Sequence, residues 1–312
     1  MIPANLSFPN YFVIFGISDA PELQVPIFLL VLLIYLLTLG GNMTILLLVC
    51  LDQHLQTPMY FFLGNLSILD MSSSTVTLHK ILTSFIIGVK KVSYVACMAQ
   101  MYFLESFIGL ELLILTAMSY DRYTAICNPL RYHILMRKNI CAILATVCWV
   151  WAFVESIPHA IIIVHFTCYV SNKINHFFCE MMPLKTISCS DTSILESLTF
   201  SIGLFHSIFS FSLTFIPYLF IINSILKIRS SAGRQKAFYT CSSHLTVVVL
   251  LYMTLICQYL RPSQGDSLEF NKLFALFNTA AVPMLNPLIY SLKNKDVKSA
   301  LKRKLNIDGN KD

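Results

Sequence analysis

The sequence predicts an all-α membrane protein: a bundle of seven transmembrane helices, with the N-terminus outside the cell and a short amphipathic helix near the C-terminus. Hydrophobic residues make up 56% of the 312 residues and charged residues 12%, about half the charged share of a soluble domain. The mean hydropathy is +0.69. Seven long apolar segments follow one another along the chain, and the basic residues gather on one side of them.

Each apolar segment has about 20 residues or more, the length that crosses the hydrocarbon core of a bilayer. Polar residues separate the segments, and no connection is long enough for a separate soluble domain. We therefore expect an extracellular segment 1–24, a seven-transmembrane domain 25–292 and a cytoplasmic tail 293–312 with a juxtamembrane helix. The predicted spans are residues 25–50, 58–80, 94–121, 140–164, 196–226, 237–260 and 270–292.

The distribution of Lys and Arg predicts the orientation of the bundle. One set of ends and loops carries fifteen of these residues and the other set seven, so the first set is assigned to the cytoplasm. No Lys or Arg precedes the first span, which predicts an uncleaved signal anchor rather than a signal peptide. The sequon at Asn5 would then be extracellular and open to glycosylation. The expected location is the plasma membrane, crossed several times.

Four of the ten cysteines fall on the extracellular side, where disulfides persist. Cys97 opens the third span, and Cys168, Cys179 and Cys189 lie in the long loop at 165–195. We expect a Cys97–Cys179 disulfide that holds this loop over the bundle, and Cys168–Cys189 as the second pair. The other cysteines lie mostly within spans or near the cytoplasm, where free apolar thiols are expected.

Two carboxylates interrupt the apolar spans: Asp70 in the second and Glu111 in the third. An ionised side chain at the bilayer centre costs about 2.5–3.5 kcal/mol, so each needs a partner. One interpretation is that each is neutral or hydrogen-bonded to a neighbouring helix. The other is that the two bind a cation such as Na⁺, supported by the amides of Asn42 and Asn286, because neighbouring carboxylates otherwise repel each other.

Two short motifs lie at the cytoplasmic ends of spans. Asp121-Arg122-Tyr123 closes the third span, where the Asp can hold the guanidinium in a charge-assisted hydrogen bond. The alternative is a simple interfacial arginine anchor. Near the inner end of the seventh span, Asn286-Pro287 precedes Tyr290, and the proline removes a backbone donor in a way that suits a hinge.

These motifs belong to longer strings that together resemble the rhodopsin-like G-protein-coupled receptors, and among them the vertebrate odorant receptors. The resemblance covers nearly the whole chain. It departs from the usual pattern at a few positions, among them Ser119 and Thr124, where Ala and Val are more common. The matching strings are Gly41-Asn42, Pro58–Leu63, Asn65–Ser67 with Asp70, Met118–Cys127, Pro129–Tyr132, Ile174–Cys179, Lys236–Leu245 and Pro283–Val297.

The resemblance implies a small organic ligand, volatile or water-borne, bound in the outer half of the bundle. Glu105 is the most polar candidate for its site: it would favour an amine or a hydroxyl group, assisted by His206 or Tyr259, or it is protonated and structural. Helical periodicity independently puts the candidates of the fifth and sixth spans on single faces, although plain interhelical packing explains the aliphatic ones equally well. The candidates are Leu104, Glu105, Ile108, Gly109, Leu112, Ile202, Gly203, His206, Tyr252, Leu255, Ile256 and Tyr259.

The resemblance also implies a partner, a stimulatory heterotrimeric G protein that raises cyclic AMP. Ligand contact near Tyr252 would move the inner end of the sixth span outward, free Arg122 and open a cytoplasmic cleft. Basic residues of the tail would lie on anionic lipid. The residues implied in coupling are Asp121, Arg122, Tyr123, Tyr218, Asn286, Pro287 and Tyr290.

Other functions remain as alternatives. A rhodopsin-like receptor for a non-odorant small ligand is the nearest one. A transporter or channel is disfavoured because paired internal repeats and a continuous line of charges across the bundle are missing. The sequence also lacks the motifs of zinc proteases, serine hydrolases and phosphate-binding loops, so we expect no enzyme. A retinal-binding opsin is disfavoured because the membrane portion of the seventh span contains no lysine; Lys272 lies at its outer edge. We expect no cofactor beyond the possible Na⁺, and no nucleic-acid partner.

Overall fold

The computed structural model describes residues 9–18, 20–166, 168–259, 267–293 and 295–304. This part of the chain is mostly helical, with short strands on one side of the bundle. The helices are α1 (Pro21–Leu51), α2 (Pro58–Ile87), α3 (Tyr94–Cys127), α4 (Tyr132–Leu135), α5 (Lys138–Val164), α6 (Met181–Ile187), α7 (Ser193–Leu226), α8 (Ser231–Tyr259), α9 (Ser267–Leu276), α10 (Val282–Lys293) and α11 (Lys295–Lys304).

The predicted bundle of seven spans is confirmed. Six stretches of the described helices are long and apolar enough to cross a membrane: α1, α3, α5, α7, most of α8, and Lys272–Tyr290, which runs from α9 into α10. The seventh is α2, which has the length, 30 residues, but a lower hydropathy. Several helices extend beyond the predicted spans. The helix α2 ends only at Gly88, whose positive φ of 70° closes it.

The polar residues of α2 are accommodated by hydrogen bonds within the bundle. The hydroxyls of Ser72, Thr75 and Ser84 each donate to the carbonyl one turn earlier, which hides them from an apolar environment. Asn65 accepts a hydrogen bond from Nε1 of Trp149 on α5, at 3.1 Å. A span of this kind is less apolar than its neighbours because many of its side chains face other helices instead of lipid.

A small sheet on the extracellular side is the main departure from the predicted all-α fold. Strand β1 (Tyr11–Ile14) lies between β2 (Lys91–Ser93), which runs antiparallel to it, and β3 (Lys173–Ile174), which runs parallel. The side chain of Phe12 is fully buried in this layer. Strand β1 is therefore packed onto the bundle. Periodicity could not predict strands this short, because their pairing depends on distant loops.

The seventh span is broken in a way that couples it to α1. A π-helical turn, Phe277–Ala281, separates α9 from α10. Pro287 has no N–H to bond the carbonyl of Pro283 four residues earlier. The side chain of Asn42 replaces that donor: its Nδ2 lies 3.0 Å from the Pro283 oxygen. The same nitrogen also donates to the Thr38 carbonyl at 3.0 Å, so Asn42 stabilises helix packing.

Gly41 lies where α1 crosses Pro287, and we expect Gly41→Ala to destabilise the bundle by about 1–3 kcal/mol. A Cβ at this position would lie 3.0 Å from Cγ and 3.2 Å from Cβ of Pro287, and a rigid proline ring cannot yield. Gly40→Ala is the matched control, because no heavy atom lies within 4 Å of its added Cβ. Thermal unfolding of the purified protein measures both; equal stabilities would contradict this packing.

The predicted juxtamembrane helix is α11, and it packs against the bundle. Val297 and Ala300 are buried, while Nη2 of Arg303 donates to Oδ2 of Asp52 at 2.7 Å. This hydrogen bond lowers the pKa of Asp52 to about 2. The stabilisation from a lowered carboxyl pKa is present above the unfolded value and is lost only as the pH falls through the folded one, so this contact does not change near neutral pH.

Candidate functional site

Two small adjoining cavities lie in the outer half of the bundle, between α3 and the broken seventh span. Leu104, Ile108, Asn278 and Thr279 line both of them. The outer cavity, of about 50 Å³, is closed by the extracellular loop at Phe178–Met181. The inner cavity, of about 20 Å³, reaches down to Asp70 and Glu111. Volumes of this size hold at most a few water molecules, so a larger ligand requires the side chains to move apart.

Four of the residues predicted to bind a ligand line these cavities. Leu104, Glu105 and Ile108 of α3 line the outer one, and Leu255 of α8 lines the inner one. They share the side of the bundle that faces the seventh span and the loop. The three α3 residues lie within about one helical turn of one another at the wall of the outer cavity, and their contact with a ligand stays a prediction.

Other predicted ligand residues point elsewhere. Leu112 is buried in the core, and the nearest neighbours of a Cβ on Gly109 would be His206 and Ala152. Tyr252 is buried, and its hydroxyl donates to Oγ of Ser210 at 2.8 Å.

The remaining candidates lie on α7 and α8. Ile202 is half-buried and Gly203 exposed, and Ile256 is 44% exposed. The side chain of Tyr259 lies outside the described residues, as does Asn5. A shared helical face identifies neighbours on one helix, but in a lipid-exposed bundle it does not tell which face turns inward.

Glu105 and His206, which the sequence proposed as joint ligand contacts, each pair with a different residue in the structure. Oε1 of Glu105 lies 2.6 Å from Nδ1 of His159 on α5. Nδ1 of His206 lies 2.8 Å from both carboxylate oxygens of Glu155. Two acid–imidazole pairs thus cross between spans, one from α3 to α5 and one from α5 to α7. Glu155 and His159 were not among the predicted residues, although two titratable residues four positions apart inside an apolar span are a signal for a polar site.

The extracellular loop that covers the cavities is fixed by both expected disulfides, Cys97–Cys179 and Cys168–Cys189. Gln100 of α3 adds to this: its Oε1 accepts from the Cys179 N–H at 2.9 Å, and its Nε2 donates to the Val76 carbonyl at 2.7 Å. The backbone beside the cavity is therefore tied to both α2 and α3.

His176 anchors the middle of the same loop. Its ring stacks on Phe177, with centroids 4.5 Å apart, and is almost fully buried. Burial is the main reason that its pKa falls to about 3, so His176 is neutral at physiological pH. At the outer end of the seventh span, Nζ of Lys272 donates to Oδ1 of Asn175 at 2.7 Å.

A buried polar group lies at the middle of the bundle. Nδ2 of Asn286 donates to both oxygens of Asp70, at 3.2 and 3.0 Å. Glu111 lines the same inner cavity as Asp70, and among the described residues its Oε1 has no hydrogen-bond partner. An orphaned carboxylate oxygen beside a second carboxylate is a donor set that fits a hard cation.

At the cytoplasmic end of α3, the side chain of Arg122 is held by its neighbour. Its Nε donates to Oδ2 of Asp121 at 3.0 Å, and its Nη2 forms an ion pair with the same oxygen. The hydroxyl of Tyr132, in the following loop, donates to the other oxygen, Oδ1, at 2.8 Å. Asp121 is completely buried, so this network fixes the direction of the guanidinium.

A second network joins α3, α7 and α8 one layer deeper. Nε2 of His244 lies 3.1 Å from the Leu115 carbonyl, and its Nδ1 lies 2.5 Å from the hydroxyl of Tyr218. A carbonyl only accepts, so Nε2 carries the proton of the neutral ring and Tyr218 donates to Nδ1. The sequence singled out Tyr218 but gave His244 no role. Ser119, one of the departures from the usual pattern, donates to the Thr214 carbonyl at 2.7 Å.

Comparisons with known proteins agree with this architecture. A family model described as “Olfactory receptor” matches residues 31–307. Human “Olfactory receptor 8J2” is 44% identical over 303 residues, 97% of this chain and 96% of the relative. Mouse “Olfactory receptor 8U3” is 43% identical over 305 residues, 98% of this chain and 96% of the relative.

A solved structure, “Crystal structure of squid rhodopsin”, aligns with a TM-score of 0.73 at 17% identity, covering 92% of this chain and 82% of that one; at this identity it supports the fold alone. A receptor of this family is a multi-pass protein of the plasma membrane and not an enzyme, and the family implies a small-molecule ligand and a G protein as partners. The chain belongs to the olfactory receptor family of G-protein-coupled receptors.

Proposed function

We propose that this receptor binds a small organic odorant in the outer cavity and, in response, activates a stimulatory G protein that raises cyclic AMP. The observation that carries the proposal is the continuity of α3. This helix lines the cavity with Leu104 and Ile108, contributes Glu111 at mid-depth, and carries Arg122 near its cytoplasmic end. A change of ligand contact at one end can therefore alter the packing at the other.

The cavity has the chemistry of an odorant site. Its lining is largely apolar, with a few polar groups that can orient a ligand. Its small volume means that binding selects or produces a more open arrangement. We propose Leu104, Glu105, Ile108 and Leu255 as ligand contacts. The remaining predicted contacts, Gly109, Leu112, Ile202, Gly203, His206, Tyr252, Ile256 and Tyr259, would join them only after the spans rearrange.

Activation would act through α8. Tyr252 packs against Phe211 and Phe215 of α7, with ring centroids 5.7 and 5.6 Å away. About two turns further towards the cytoplasm, His244 ties α8 to α7 and α3. An outward movement of the inner end of α8 breaks both hydrogen bonds of His244. The hydroxyl of Tyr218 then becomes available to Arg122.

The G protein would bind the cleft opened by this movement. Tyr123, Tyr218 and Tyr290 border it together with Arg122, and Pro287 lets the end of the seventh span bend. The loop between α7 and α8 adds the basic residues Lys227 and Arg229, and the first turn of α8 adds Arg234. We also propose the division into an extracellular segment 1–24 with a glycan on Asn5, a transmembrane domain 25–292 and a tail 293–312 whose basic residues lie on anionic lipid.

A cyclic AMP reporter assay tests this function. Cells would express the chain with an olfactory-type stimulatory G protein and receive a panel of alcohols, amines, aldehydes, acids and thiols. A dose-dependent response that is lost in Arg122→Ala at equal surface level supports the proposal. The proposal would be overturned by a purified receptor that binds panel members but never stimulates nucleotide exchange by a stimulatory G protein.

We further propose that Asp70, Glu111 and Asn286 hold a Na⁺ ion in the inactive bundle. A bound ion stabilises the state that binds it. We therefore expect replacement of Na⁺ by choline to lower the melting temperature of the purified receptor by a few degrees, through a loss of about 1 kcal/mol.

The sodium effect should disappear in Asp70→Asn and in Glu111→Gln. Glu155→Gln is the matched control, because it removes a buried acid elsewhere in the membrane and should keep the effect. Equal sodium dependence in all three variants would rule out this site.

A further inference from the structure

We propose that Glu105 and His159 form a polar subsite of the outer cavity that selects ligands carrying a hydrogen-bond donor, alcohols or primary amines, over carboxylates of the same chain length. This inference rests on the cavity being the ligand site of the proposed function.

The first observation is the position of the Glu105 carboxylate. Glu105 lines the outer cavity, and its Oε1 lies 2.6 Å from Nδ1 of His159. The direction of approach does not satisfy hydrogen-bond geometry, so the contact between the two is electrostatic. Within the described part of the chain, Oε2 of Glu105 has no hydrogen-bond partner. The Glu105 carboxylate therefore lies at the cavity wall with one buried oxygen whose capacity to accept a hydrogen bond is unused.

The second observation is the charge of the wall. Glu105 and Glu180 both line the outer cavity, and the described lining contains no Lys or Arg. The other lining groups are mainly apolar, such as Leu104, Ile108 and Ala275. An anionic ligand would meet the carboxylate of Glu105, and the described lining offers it no lysine or arginine. A donor group instead satisfies a buried acceptor that is costly to leave unpaired.

His159 acts as a positioning residue. It is buried on α5, it does not line the outer cavity, and its contact with Oε1 holds the carboxylate in place. The unpartnered Oε2 would then accept from a ligand that enters once the side chains of the cavity move apart. The neighbouring pair provides an internal contrast. Glu155 and His206 have the same chemistry, and Glu155 lies on the same helix as His159, but neither lines a described cavity.

The test uses the purified full-length receptor in lipid nanodiscs at neutral pH, with thermal unfolding followed by the fluorescence of Trp149 and Trp151. The probes share one alkyl chain: hexanol, hexylamine, hexanal, hexanoate and hexane. We expect hexanol and hexylamine to stabilise the receptor at concentrations about tenfold lower than hexanal or hexane. Hexanoate should give no stabilisation.

Variants assign the effect to individual groups. Glu105→Leu should remove the preference for donors, whereas Glu105→Gln, which keeps an acceptor but no charge, should keep hexanol binding and admit hexanoate. Glu155→Gln, the matched control, should behave as wild type. His159→Phe should weaken the hexanol preference, and His159→Gln should restore it. If Glu105→Leu does not fold, the hexanoate result with Glu105→Gln still decides whether the charge of Glu105 excludes carboxylates.

Stabilisation by hexanoate equal to that by hexanol, or a donor preference unchanged in Glu105→Leu, would overturn the subsite. No stabilisation by any probe would overturn it too. A donor preference unchanged in His159→Phe would overturn the role of His159. Because this measurement needs no G protein, retained hexanol binding without cyclic AMP production would contradict the proposed function alone. Normal signalling with no donor preference would contradict only this inference.

Discussion

Replacing Arg122 with alanine is expected to reduce ligand-stimulated cyclic AMP production by about tenfold to a hundredfold, while the receptor still reaches the cell surface. The guanidinium is held by Asp121, which in turn accepts from Tyr132. It lies at the end of the helix that lines the ligand cavity. A charge-assisted contact of this kind is worth about 1.5–3 kcal/mol, which corresponds to the stated range once the G protein is the partner.

The matched control is Arg131→Ala. Arg131 lies in the same cytoplasmic region, close to the end of α3, but its side chain is exposed. Its loss should therefore leave signalling near the wild-type level. Asp121→Asn should have the opposite effect on signalling. It weakens the hold on Arg122 and should therefore raise cyclic AMP production in the absence of ligand. Surface level is measured in parallel with an N-terminal epitope tag. Undiminished signalling by Arg122→Ala would refute the proposed activation mechanism.

Replacing Cys97 with serine is expected to prevent most of the receptor from reaching the cell surface. The Cys97–Cys179 disulfide joins residues 82 positions apart, whereas the second disulfide spans 21. In the chain-entropy description the longer loop contributes about 4.5 kcal/mol and the shorter about 3.3 kcal/mol. The first disulfide also fixes the loop that lines the outer cavity, because Cys179 itself is part of that lining.

Three comparisons make this expectation specific. Cys179→Ser and the double variant should match Cys97→Ser, because either change removes the same bond and the effects do not add. Cys168→Ser should be milder. Cys50→Ser, the matched control, replaces an exposed free cysteine and should be expressed normally. Flow cytometry of surface receptor measures all five; normal surface expression of Cys97→Ser would contradict a structural role for the disulfide.

The bundle was predictable because its main cause is local. A segment of about 20 apolar residues must span the bilayer as a helix to satisfy its own backbone, and the positions of Lys and Arg set the direction. The same reasoning found α2 in spite of its serines. It also found Asp70, Glu111 and Arg122, because a charge in or beside a membrane span needs a partner. It did not find β1, whose strand exists only through pairing with two loops that are far away in the sequence.

The ligand cavity was only partly predictable. Leu104, Glu105 and Ile108 line the outer cavity, whereas Gly203 and Ile256 are exposed and Leu112 is packed in the core. The hydrophobic pattern cannot separate these cases. In a membrane protein both the lipid-facing and the core-facing sides of a helix are apolar, so periodicity gives the shared face of a set of residues without its direction.

The sequence by itself determined the seven spans, their orientation, the family, the cysteines on the oxidising side and the charged residues that require partners. Each follows from how a short segment meets lipid, water or the redox state of its compartment. Only the tertiary structure decided which partners these residues have: His159 for Glu105, Glu155 for His206, His244 for Tyr218, and Asn42 for the carbonyl freed by Pro287. Such pairs join residues distant in sequence, and their choice depends on how helices rotate and pack against one another.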